Sequence, residues 1–120
     1  MFTNNTVSIR FNKGHVGHRG DYWHRDFDEE EKKIKRSVTI SFSNINEWST
    51  RVVNPDQNQE YVKRYGYSPE ESAAIDRIAK PSRLGCFYDS VNGLHRAPIL
   101  ADLGGKQPSP DQWRLFIRFT

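Results

Sequence analysis

The chain carries a single cysteine, Cys86, among 120 residues. A lone thiol excludes an internal disulfide and any cysteine-rich zinc module. Long apolar runs are missing as well. None approaches the roughly 18 residues of a membrane span, and no charged-then-apolar leader opens the chain. These absences set the expectation of a cytoplasmic protein with no membrane partner. In that setting the Asn4 N-x-T triplet is not a glycosylation site, and Arg19-Gly20-Asp21 is not an integrin ligand. Charge of one sign is scarce too: 18 basic against 15 acidic residues leave a net +3. That balance neither unfolds the chain by self-repulsion nor marks a general nucleic-acid binder. Apolar residues make up only 35%, so the core must draw on the three Trp, five Tyr and seven Phe. Rings of that size let one domain over residues 1–120 close without staples.

What is present alternates between strand and helix signals. Val7, Ile9 and Phe11 have the period of a half-buried strand, as do Val38, Ile40 and Phe42, which are expected to face inward. Around the segment Asp21–Phe27 the same period separates Tyr22, His24 and Asp26 from Trp23, Arg25 and Phe27. In the middle third, Asn44 with Glu47 suggests a capping box ahead of the stripe Ile45, Trp48 and Val52. Asn54-Pro55 suggests a second short helix that Gly66 ends. The strongest helix signal spans Ser68 to Lys80: a Ser68 cap, Pro69 in the first turn, Glu71 closing the box, Pro81 as a stop, and Ala74, Ile75 and Ile78 as the buried stripe. Asn92-Gly93 then predicts a tight hairpin. Trp113, Leu115, Ile117 and Phe119 alternate with Arg114, Phe116 and Arg118 on a last strand. The order implies an α+β fold: a largely antiparallel sheet of N- and C-terminal strands, with two or three short central helices on one face.

Three of the four histidines fall within residues 15 to 24. His15, His18 and His24 could bind a divalent metal with Asp21 or Asp26. The glycines around His15 and His18 leave that pair without a rigid element, and no acid stands by to orient their rings. The sequence therefore predicts no metal and no cofactor. The stretch from His15 to Arg36 reads instead as a charged, protruding hairpin anchored by Trp23 and Phe27. Its histidines lie near acids, so binding through it should vary between about pH 6 and 8. A two-residue turn at Asn92-Gly93 would place Ser90 beside His95 and pair Asp89 with Arg96, which holds a hairpin and forms no triad. Gly104-Gly105-Lys106 lacks the upstream glycine and the following Ser or Thr of a phosphate loop.

Charge supplies the remaining signal. From Arg77 onward seven basic residues face three acids, while the acids gather at 28–31. On alternating strands, Arg10, Arg114, Phe116 and Arg118 would share an outward face, an aromatic flanked by arginines. Such a face suits a protein partner or, as a weaker possibility, nucleic acid. The expected function is a small non-catalytic regulator or inhibitor, of the kind phages and mobile elements carry. It would dock through that face or through His24, Glu29, Glu30 and Glu31. The alternative is a metal-independent nuclease. There His24 and His95 would serve as base and acid, with Arg114 or Arg118 stabilising the charged transition state.

Overall fold

The structure is a computed structural model describing residues 7–13, 20–26, 37–81 and 86–119. Among these residues the elements run β1 (Val7–Lys13), β2 (Val38–Ser43), β3 (Arg51–Val52), α1 (Pro69–Ile78), β4 (Lys80–Pro81), β5 (Cys86–Asp89), β6 (His95–Arg96) and β7 (Trp113–Phe119). They form two sheets. The larger has the order β1-β7-β2-β5 and the smaller β4-β3-β6, with every pairing antiparallel. The N-terminal and C-terminal strands therefore lie side by side, as the sequence suggests.

Helix α1 forms where its local signals lie. Ser68 accepts the Glu71 N–H while the Glu71 carboxylate accepts the Ser68 N–H, so two orphan donors of the first turn are satisfied. Ile75 at the centre of its stripe is fully buried, against Trp23, Val53 and Leu94. Ile78, Tyr61 and Tyr67 pack around that cluster.

The other two predicted helices do not form. Residues Asn46–Trp48 and Pro55–Glu60 make only 3₁₀ turns, with strand β3 between them. The reason is local. Ser43 Oγ donates towards the Ile45 and Trp48 carbonyls and accepts the Ile45 N–H, so the expected Asn44–Glu47 box is replaced by a turn. Beyond it the β-branched residues Thr50, Val52 and Val53 favour extended backbone.

Asn92-Gly93 is also not a two-residue hairpin. Strand β5 pairs with β2, and β6 pairs with β3, so the segment between them is a corner linking the two sheets. Asp89 builds that corner, its carboxylate accepting the N–H groups of Val91 and Asn92 and the Asn92 side-chain amide. Arg96 consequently pairs with Asp102 and Asp76 and not with Asp89.

Orientation of the large sheet is the main correction. Thr39, Ser41 and Ser43 are buried, whereas Val38, Ile40 and Phe42 are only half-buried. Arg114, expected to point outward, is 4% exposed, with its guanidinium 4.7 Å above the Phe116 ring. Phe116 and Arg118 are half-buried on the same side of β7. The polar face of this sheet is turned inward because the ionic groups of the site lie on that side.

Candidate metal centre

Two residues apart on an extended chain share a side, which puts His24 and Asp26 together and sends Trp23 and Arg25 the other way. Both halves of that split are used. Trp23 is buried in the core and donates its indole N–H to Asp76 Oδ1 at 3.0 Å. Arg25 fixes the segment from behind, donating to the carbonyls of Asn92, Lys63 and Tyr61 and to the Tyr67 hydroxyl. Arg64 holds the Asp26 and Val91 carbonyls together, and the Asp26 N–H donates to Ser90 O.

His24 and His95 exchange both backbone hydrogen bonds, each 3.0 Å long, as an isolated antiparallel bridge. Directly opposed residues project to one side, so the two rings meet with centroids 4.5 Å apart. Gly20 comes close to this pair with φ +80; a Cβ there would lie 2.9 Å from His24 Cε1. Its lack of a side chain both permits the backbone and leaves room for the ring.

Asp26 is the hub. Oδ1 lies 3.1 Å from His95 Nε2 and 3.4 Å from His24 Nε2, and Oδ2 accepts from Arg118 Nη2 at 2.8 Å. Burial pushes its carboxyl up, but the hydrogen bonds to His24 and His95 and the charges of His95 and Arg118 prevail. They hold it well below the usual carboxylate range. The side chains of His24, Asp26 and His95 are 16%, 14% and 7% exposed, and Arg118 is 38% exposed, so the cluster is recessed but open on one side.

The far side of each ring is tied down. His24 Nδ1 is 2.7 Å from Tyr22 O, and His95 Nδ1 is 2.8 Å from Gly93 O. A carbonyl only accepts, so both Nδ1 atoms carry the proton. In the neutral rings, each Nε2 lone pair is then aimed at a carboxylate oxygen that can only accept. A cation must lie among these atoms, either added protons or a metal ion. Ligands about 2.1 Å from one metal stand about 3.0 Å apart in octahedral and about 3.4 Å apart in tetrahedral geometry. The two His–Asp26 separations fall near these values, and the three candidate donor atoms all lie within 4.8 Å of one another, so binding one ion would require the donors to draw together around it.

Of the residues singled out in the sequence, the structure brings together His24, His95 and Arg118 and leaves Arg114 buried farther along β7. Arg10 stands opposite Phe116 in the β1–β7 register. His15, His18, Phe27, Glu29, Glu30 and Glu31, and with them most of the expected hairpin, lie outside the described residues. In the part that is described, 20–26, Trp23 anchors the segment in the core, Asp21 and Tyr22 are exposed, and His24, Arg25 and Asp26 are half-buried. The reasons against metal at His15 and His18 do not extend to the set His24, Asp26 and His95, where a backbone bridge joins the two histidines and a carbonyl contacts each Nδ1. No protein-family profile, curated protein or solved structure matches the chain.

Proposed function

We propose that His24, Asp26 and His95 hold one divalent metal ion, and that the protein is a mononuclear non-haem iron enzyme. The observation that carries this reading is the convergence of His24 Nε2, His95 Nε2 and Asp26 Oδ1 on one point, with the Nδ1 of each ring held at a backbone carbonyl. Two imidazoles and one carboxylate, with coordination positions left over, form the ligand set of iron(II) oxygenases. Iron bound there would supply activation of dioxygen. The chain's own residues would do the rest: the Tyr22 and Gly93 carbonyls hold the rings, and Arg118 holds Oδ2, which would leave Oδ1 to a metal. The nuclease alternative uses three of the same residues. It is weaker here, because carbonyls and Asp26 occupy the ring nitrogens that would have to reach a phosphate.

Chelator-stripped protein titrated with Fe(II), Co(II) and Zn(II) without oxygen tests the proposal. One ion should bind per chain, and Asp26→Ala or His95→Ala should weaken binding more than about 100-fold. Nitric oxide added to the Fe(II) form should give a high-spin iron–nitrosyl signal, showing an open position. Absence of stoichiometric binding of any of the three ions would falsify the metal reading. Binding of zinc without an iron–nitrosyl species would move it to a hydrolytic class. Cleavage of RNA or DNA in chelator, abolished by His24→Ala, would restore the metal-free nuclease.

A further inference from the structure

The outward face of the large sheet is an apolar grid. Register across β1, β7 and β2 sets Val7, Phe119 and Val38 in one row, Ile9, Ile117 and Ile40 in the next, and Phe11, Leu115 and Phe42 in the third. Opposed residues of antiparallel strands share a face, so all nine positions lie on one side. Val7, Ile9 and Phe11 are 56%, 70% and 57% exposed, and the other six are half-buried. Helix α1 packs elsewhere, on Trp23, Val53 and Leu94. A contiguous apolar patch of this size on a protein surface marks a contact site.

We infer that a second copy of this chain covers the grid, through a two-fold axis running along the isoleucine row. Such an axis leaves each strand facing its own counterpart and exchanges the outer rows. Ile9, Ile117 and Ile40 then meet themselves. Val7 and Val38 meet the partner's Phe11 and Phe42, and Phe119 meets the partner's Leu115. Small faces large at both edges, which is what close packing between two sheets requires. The nine positions hold no charged residue, and the charged positions on this side, Asp89 beside Val38 and Lys13 beside Trp113, stand at opposite borders of the grid. With three side chains more than half exposed and six half-buried, joining two such faces removes about 1,200 Å² from water, the lower end of stable interfaces. An isologous dimer completes a second core over a face that the described residues of one chain leave open.

Sedimentation velocity of the full chain from low to high micromolar concentration is the test. The wild type should pass from monomer to dimer over that range. Ile9→Lys, at the most exposed position of the grid, should keep its circular dichroism and melting temperature at low concentration while weakening the dimer at least about 30-fold. Val7→Phe should weaken it by crowding the partner's Phe11, and adding Phe11→Val should restore it. A wild type that stays monomeric throughout overturns the proposal, as does a dimer indifferent to Ile9→Lys and Val7→Phe. Metal binding by the monomeric variant separates this outcome from the fate of the metal centre.

Discussion

Arg96 shows how a single residue ties the molecule together. It is 4% exposed, and its guanidinium makes a two-point pair with Asp102 at 2.8 and 2.9 Å. It also reaches Asp76 at 3.1 Å and lies 5.2 Å over the Trp23 ring. Burial raises the Asp102 carboxyl, but the hydrogen bonds from Arg96 and the Ile99 N–H, with the charges of Arg96 and Arg51, bring it below its ordinary value. A carboxyl depressed in the folded state contributes stability above its unfolded pKa of about 3.9. That contribution is lost as pH falls through the folded value. Asp102→Asn leaves Arg96 with one acid fewer and should cost about 3 kcal/mol at neutral pH. The loss should shrink only as pH falls below the unfolded pKa and through the folded value, where wild type and variant both lack this charge. Urea unfolding at pH 7 and at a series of pH values stepping down from about pH 4 measures the difference, and a loss that stays constant until the wild type itself unfolds in acid would rule out the ionic origin.

At the scale of elements, the corner at 89–95 joins fold to site. Gly93 has no left-handed φ, yet a Cβ on it would stand 2.4 Å from the Asp89 carbonyl oxygen. Gly93 also presents the carbonyl that holds His95 Nδ1. Gly93→Ala should therefore destabilise the chain by about 2 kcal/mol and weaken metal binding as well, by turning the His95 ring. Thermal melts and Co(II) titration of the variant read the two effects separately. An unchanged affinity would mean that the corner does not position the ring. This corner also shows what sequence can carry. Helix α1 was legible because Ser68, Pro69, Glu71 and Pro81 act on neighbours within a few residues. The Asn92-Gly93 pair looked equally local, but its geometry depends on which strands β5 and β6 choose, and both choose partners far along the chain. The site was half visible in the same sense. His24-Arg25-Asp26 has the spacing that puts imidazole and carboxylate on one side, whereas nothing near His95 indicates that it pairs with His24.

At the scale of the whole molecule, alternation told the two faces of each strand apart without telling which turns inward. Val38, Ile40 and Phe42 separate cleanly from Thr39, Ser41 and Ser43, and the rule of apolar inside and polar outside assigns the first set to the core. The structure reverses that assignment: the interior side of the large sheet meets Asp26 through Arg118, while the apolar side carries the exposed Val7, Ile9 and Phe11. The reversal has a measurable consequence at Thr39, which is 3% exposed and whose hydroxyl has no hydrogen-bond partner among the described residues. Replacing a buried, unsatisfied hydroxyl by a methyl of similar shape removes a desolvation penalty. Thr39→Val should therefore stabilise the fold by about 1 kcal/mol, raising the denaturation midpoint with no change in the urea slope. If Thr39 faced water, the same substitution would add a methyl to the surface and leave the midpoint unchanged or lower. A lowered midpoint would return the large sheet to the conventional orientation and remove the apolar grid from the surface.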